Sequence, residues 1–184
     1  MSSLSTIQQI LRTLSDPSRA RLCQRFFKTQ PGQYGEGDLF LGIAVPQIRL
    51  MAKKYRAASQ QEIEILIKSS YHEERLLGLI ILVWQFQSAT NGQERKRIFD
   101  IYLKYLKQGH INNWDLVDAT AHHIVGAYLY DYPHNIIEKI AQSPSVWERR
   151  VAIISTLFFI RKGHADKTFH IATILLHDKH DLIH

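Results

Sequence analysis

Several residue types are scarce in this sequence, and each shortage excludes a class of protein. The only cysteine, Cys23, allows neither an internal disulfide nor a cysteine-based metal knuckle. Nine glycines and five prolines are few for a protein of tight turns, which disfavours an all-β sandwich. The apolar middle of the chain, Leu76 to Phe86, is far shorter than the roughly twenty residues of a membrane span. No charged start leading into an apolar block marks a secretory signal. We therefore expect a cytoplasmic protein with no membrane partner.

The remaining composition is that of an ordinary folded protein. Hydrophobic residues make up 45% of the chain and charged residues 22%, which excludes disorder and low-complexity classes. A chain of 184 residues is long enough to bury a continuous apolar core. The composition predicts one domain spanning residues 1–184.

Positive charge is concentrated near the N-terminus. The net charge is +6, and residues 1–57 hold nine Lys and Arg against three acidic residues, so this segment accounts for the whole excess. On a helix Arg49, Lys53 and Arg56 share one face, as residues that contact phosphates along a groove do. This pattern predicts a polyanionic partner. A solvated helix face is the alternative.

Apolar residues recur with a helical period over most of the sequence. Asp16-Pro17 is a typical helix cap and first turn, and glycine-rich or proline-containing stretches separate the segments. No segment shows the alternation of a strand. The pattern predicts helices over 4–14, 16–28, 45–56, 59–69, 73–87, 93–107, 113–130, 133–142, 145–162 and 166–176.

A weak internal repeat suggests how the helices are arranged. Residues 73–86 resemble residues 148–161 at an offset of 75, and each segment is a charged turn that enters a long apolar helix. This offset is close to two units of HEAT or armadillo repeats, which have about forty residues each. An all-α fold, arranged as an α-solenoid of HEAT/armadillo-like helical pairs, is therefore predicted. A compact helical bundle is the alternative.

Residues 112–118 form the densest group of chemically useful side chains. Trp114 and Asp118 are four residues apart, so a helix places an aromatic ring and a carboxylate on one face. That pair can hold a cationic group, and a fixed carboxylate stabilises an oxocarbenium-like sugar and can orient water. Alternatively, one of the two asparagines caps the helix and Trp114 packs in the core.

Three segments together carry a specific resemblance. They are Leu39–Arg49, Asn113–Asp118 and Val146–Ile153, in this order along the chain. The combination resembles bacterial DNA alkylation repair proteins of the HEAT-like-repeat type, and the likeness covers nearly the whole chain.

The resemblance implies an α-solenoid whose concave basic face binds duplex DNA. It also implies excision of positively charged N3- or N7-alkylated purines, with no metal and no organic cofactor. Asp118 resembles the family's catalytic carboxylate and Trp114 the aromatic residue at the deoxyribose of the lesion. Arg150 resembles the arginine that contacts the DNA backbone, and Arg149 stands beside it as a further candidate phosphate contact.

The C-terminal end departs from the family pattern. By resemblance a further helix with another aromatic residue should follow His184, so we expect the domain to be cut short there. An apolar face at this end could be covered by a second copy of the chain. Besides a DNA glycosylase, two hypotheses therefore stay open: a DNA-binding module with weakened catalysis, and a protein-interaction scaffold.

Overall fold

The computed structural model describes residues 5–184, and every regular element in this range is a helix, so the all-α prediction is confirmed. The chain divides into two compact units, one ending at Gln85 and the other beginning at Phe86. The first unit contains α1 (Thr6–Thr13), α2 (Pro17–Phe26), α3 (Val45–Lys54), α4 (Gln60–Ile67) and most of α5 (His72–Ser88).

The second unit also consists of helices within the described residues. These are α6 (Gly92–Lys107), α7 (Trp114–Asp118), a π-helix (His122–Gly126), α8 (Ala127–Asp131), α9 (Ile136–Ala141), α10 (Val146–Ser155), α11 (Leu157–Arg161) and α12 (Asp166–Leu175). Side-chain caps begin several helices where the sequence suggested a start. Asp16 accepts hydrogen bonds from the backbone of Ser18 and Arg19, with Pro17 in the first turn, which confirms the predicted start of α2.

Two of the long predicted helices are interrupted. The helix predicted over 113–130 divides into α7, the π-helix and α8, and the helix predicted over 145–162 breaks at Thr156. Apolar residues continue through both breaks, so the sequence pattern does not reveal where either helix is interrupted. The helix predicted over 4–14 begins at Leu4, which lies outside the described residues; α1 begins at Thr6.

A buried carboxylate organises the first unit. Glu73 is 3% exposed and accepts hydrogen bonds from the backbone N–H groups of Leu41, Gly42 and Ile43 at 2.8, 2.8 and 3.2 Å. Gly42 has a φ of +80°, and a Cβ there would lie 2.1 Å from the carbonyl oxygen of Asp16. This contact explains the glycine of the Leu39–Arg49 segment, because it lets the loop pass directly against the start of α2.

In the second unit α10 packs against α7, α9 and the π-helix. Val151, Ala152 and Ser155 form its buried face. Gly126 ends the π-helix where the backbones come closest, since a Cβ on Gly126 would lie 2.2 Å from the carbonyl oxygen of Ser155. The absence of a side chain at this position allows the π-helix to lie against α10.

We expect Gly126→Ala to lower the free energy of unfolding by about 1–3 kcal/mol, because backbone atoms on α10 cannot move aside. Gly92→Ala is the matched control. A Cβ at Gly92 would meet the hydroxyl oxygen of Tyr132, and this exposed side chain can rotate away. Urea unfolding of both variants measures the difference. Equal stability of the two variants would contradict the proposed close packing.

Candidate functional site

The candidate site begins at the N-terminus of α7. Asn113 is fully buried, and its Oδ1 accepts a hydrogen bond from the backbone N–H of Trp114 at 2.9 Å. One of the two asparagines therefore caps the helix, as the sequence alternative proposed. Trp114 and Asp118 lie one turn apart on α7, and both side chains are half-buried. The ring and the carboxylate are thus both accessible from solvent.

Asp118 forms a two-pronged ion pair with Arg150 of α10. Arg150 Nε donates to Asp118 Oδ1 at 2.9 Å, and Nη2 donates to Oδ2 at 2.7 Å. The carboxylate side chain is 35% exposed and the guanidinium side chain 16%. A bidentate pair of this kind fixes the plane of the carboxylate. The sequence named these two residues for separate roles, and the structure brings them together.

Arg150 has one more hydrogen-bond partner. Its Nη1 donates to the backbone carbonyl of Leu182, which covers the side of the guanidinium that Asp118 leaves open. Residues 178–184 form the segment that carries this carbonyl. We call them the covering segment.

Arg149 holds the start of the covering segment in place. Its Nε and Nη2 donate to the Asp178 carboxylate at 2.5 and 3.3 Å, and its Nη1 donates to the carbonyls of Ser143 and Pro144 at 2.9 Å each. These hydrogen bonds from Arg149 hold the pKa of Asp178 below its usual range. All the donor nitrogens of this guanidinium thus have partners within the chain, and a role of Arg149 at a phosphate stays a prediction.

Two buried hydroxyl groups form hydrogen bonds at the end of α7. Thr120 Oγ1 donates to the carbonyl of Leu116 at 2.5 Å, so the fully buried Tyr102 hydroxyl, 3.0 Å away, is the donor to Thr120. Burial raises the pKa of Tyr102, which therefore stays a neutral donor. Sequence reasoning did not identify this chain of hydrogen bonds, because nothing in the spacing of Tyr102 and Thr120 indicates contact between α6 and the end of α7.

A buried histidine, His122, lies two residues after Thr120. His122 opens the π-helix and is 6% exposed, and both of its ring nitrogens are buried. Burial, together with smaller effects of the neighbouring His123 and Arg161, lowers the pKa of His122 from 6.5 to about 4. The ring is therefore neutral at physiological pH.

The three N-terminal cations of the sequence prediction lie in the first unit. Arg49 and Lys53 are exposed on α3, and Arg56 is exposed just after the helix, which ends at Lys54 and not at residue 56 as predicted. The shared helical face thus holds for Arg49 and Lys53 only. All three side chains are accessible to a polyanion.

One cavity of the second unit lies apart from the predicted site residues. It has a volume of about 420 Å³ and is lined mainly by α8, α9 and the segment around the start of α12. Its lining residues are Leu129, Tyr130, Pro133, His134, Ile137, Phe159, His164, Asp166 and Lys167. Residues 5–184 contain no cluster of three or more His, Cys, Asp or Glu side chains arranged to hold a metal ion.

In the same range, the helices are all too short or too polar to cross a membrane.

A family model described as DNA alkylation repair enzyme matches residues 7–184, which is nearly the whole chain. This chain belongs to the DNA alkylation repair enzyme family. Membership confirms the resemblance seen in the sequence and assigns the protein to DNA repair, with an enzymatic role and DNA as its partner. Among curated proteins, no match to the chain is found. The family match includes α7, α10 and the covering segment, and therefore the whole candidate site.

The buried His122 makes the stability of this protein sensitive to acid. Between about pH 6.5 and pH 4 the unfolded chain binds a proton on His122 that the folded chain does not. Lowering the pH through this range therefore reduces the free energy of unfolding, by up to about 3 kcal/mol, with no contribution from this group above the range.

We expect His122→Gln to flatten this part of the pH dependence, measured by urea unfolding at half-unit intervals from pH 4 to pH 7.5. His134→Gln, at an exposed position, is the control and should keep the wild-type slope. If His122→Gln keeps that slope as well, another group is responsible.

Proposed function

We propose that this protein is a DNA glycosylase that excises N3- and N7-alkylated purines from duplex DNA. The observation that carries the proposal is the Asp118–Arg150 ion pair at the end of α7, one turn from Trp114, in a chain of the DNA alkylation repair enzyme family. In this proposal residues 1–184 act as one domain, with the helical pairs in a HEAT-like solenoid arrangement. Arg49, Lys53 and Arg56 contribute to its basic face, and Arg149 and Arg150 add contacts near the lesion.

The chemistry follows from the charge of the lesion. An N3- or N7-alkylated purine is already cationic, so it leaves as a neutral base when the bond from C1′ to N9 breaks, and the electron pair of that bond goes to the base. The sugar becomes oxocarbenium-like and is attacked at C1′ by water, whose proton is lost to solvent. No metal or organic cofactor is needed for these steps.

Each site residue has a role in this reaction. The Asp118 carboxylate stabilises the cationic sugar and orients the water, because a charge placed in advance is most effective where charge develops. Arg150 positions that carboxylate through its two hydrogen bonds, and its Nη1 binds the DNA backbone where a phosphate oxygen replaces the Leu182 carbonyl. The Trp114 ring packs against the deoxyribose or the cationic base.

A DNA-binding module without turnover is the second candidate. It is favoured by the observation that both oxygens of Asp118 accept hydrogen bonds from Arg150, and that the Leu182 carbonyl accepts one from Arg150 Nη1. In that case the site would hold DNA while the carboxylate stays committed to Arg150. Excision and binding must therefore be measured separately.

Release of 7-methylguanine from methylated duplex DNA at neutral pH tests the proposal. We expect Asp118→Asn to reduce excision at least about 100-fold, because it removes the charge that stabilises the sugar cation. Duplex affinity should stay nearly unchanged. Asp115→Asn makes the same change of charge three residues away on α7 and should retain excision.

Two outcomes would contradict the glycosylase. One is wild-type release no faster than spontaneous depurination, together with salt-sensitive duplex binding, which would establish the second candidate. The other is equal activity of the wild type and of Asp118→Asn when thermal unfolding shows both to be folded. Arg150→Ala should weaken both excision and binding.

The covering segment gives a further prediction, because the Leu182 carbonyl occupies Arg150 Nη1 and competes there with a phosphate oxygen. Asp178→Asn removes the ion pair with Arg149 and should tighten duplex binding about three- to tenfold relative to Asp181→Asn. The two variants remove the same charge from the covering segment, but Asp181 is 80% exposed and does not contact Arg149.

A double-mutant cycle assigns the effect to Arg150. In an Arg150→Ala background, Asp178→Asn should no longer tighten binding, as measured by fluorescence anisotropy at fixed salt. If the gain persists in that background, the released Arg149 binds the DNA. Equal affinities of the Asp178→Asn and Asp181→Asn single variants would exclude competition by the covering segment.

A further inference from the structure

The second helix has an unusual surface. None of the ten residues of α2, a helix that the structure describes in full, is buried. Leu22 and Phe26 are each 64% exposed although both are large and apolar. Phe26 packs edge-on against Phe27 with the ring centroids 5.1 Å apart, which restricts its orientation. A helix that adds so little to the core yet exposes two large apolar side chains indicates a contact surface.

The exposed residues of α2 form an ordered strip. With about 100° between successive residues, Leu22 and Phe26 lie roughly 40° apart and form one apolar ridge. Arg21 and Arg25 flank this ridge on one side and Arg19 on the other, and all three arginines are exposed. The segment Pro17–Phe26 contains no acidic residue. The strip is therefore apolar in the middle and cationic on both sides.

The opposite face of α2 is held close to the protein. The Gly42 backbone passes so near that a Cβ would lie 2.7 Å from the backbone nitrogen of Ala20, and the carbonyl of Leu41 accepts a hydrogen bond from the Asp16 N–H at 2.8 Å. These backbone contacts hold this face of α2 against the loop. The ridge therefore lies on the side of the helix that faces away from the loop.

Building on the proposed function, we propose that α2 binds the minor groove of duplex DNA, with Leu22 and Phe26 as the apolar wedge. The two sugar–phosphate strands that line the groove carry negative charge on both sides, which complements arginines on both sides of a ridge. Apolar side chains inserted between base steps are a general means of gripping and bending DNA through the minor groove. This surface grips undamaged and damaged duplex alike, so it supplies affinity and not recognition of the lesion.

Equilibrium binding to an undamaged duplex at several salt concentrations tests this proposal. The double variant Leu22→Ser/Phe26→Ser should bind about tenfold more weakly with an unchanged salt slope, because an apolar contact releases no counterions. Arg21→Gln/Arg25→Gln should also weaken binding, but should reduce the slope of log affinity against log salt by about two. Ile65→Ser, at a 40% exposed position on α4, is the control and should bind like the wild type.

Competition identifies the groove. Netropsin, which occupies the minor groove, should displace the wild type, whereas methyl green, which occupies the major groove, should not. The reverse result overturns the proposal, as does wild-type affinity of a correctly folded Leu22→Ser/Phe26→Ser variant. If that variant instead loses binding to vesicles containing phosphatidylserine and keeps its DNA affinity, the ridge is a membrane contact. Failure of the wild type to bind any duplex would refute the proposed function itself, and is thereby distinguished from failure of this inference alone.

Discussion

The ion pair between Asp118 and Arg150 is the interaction on which the candidate site depends. It joins the last residue of α7 to α10 across 32 positions of sequence, and its two hydrogen bonds set both the position and the orientation of the carboxylate. A single hydrogen bond would leave the carboxylate free to rotate. Two parallel bonds to a planar guanidinium do not.

The packing around this pair explains why the two helices meet there. Gly126 lets the π-helix approach the backbone of α10, and the hydrogen bonds among Tyr102, Thr120 and Leu116 hold the turn that ends α7. A π-turn inserts an extra residue into a helix and shifts the positions that follow, and such turns are frequent at functional sites. The buried ring of His122 lies in the first position of this turn, next to the ring of His123 at a centroid distance of 3.8 Å.

The same guanidinium connects the site to the covering segment. Two adjacent arginines on α10 bind this segment at different points. Arg149 donates to the Asp178 carboxylate, and Arg150 donates to the Leu182 carbonyl. A carbonyl oxygen on a guanidinium takes the place that a phosphate oxygen can take. In the first unit a carboxylate also fixes the backbone. The buried Glu73 accepts hydrogen bonds from three backbone N–H groups that have no partner within a helix.

The sequence by itself determined the helical class, the start of α2 at its cap, the placement of Trp114 and Asp118 one turn apart on one helix, and the family. These depend on periodicity and on neighbours within a few residues, which the order of amino acids records directly. Only the tertiary structure decided that Asp118 pairs with Arg150, that Arg149 holds Asp178, that α2 stays on the surface, and that the helix over 113–130 is broken. Each of these features depends on contacts between segments that are distant in sequence. The spacing of apolar residues does not record which distant segment packs against them.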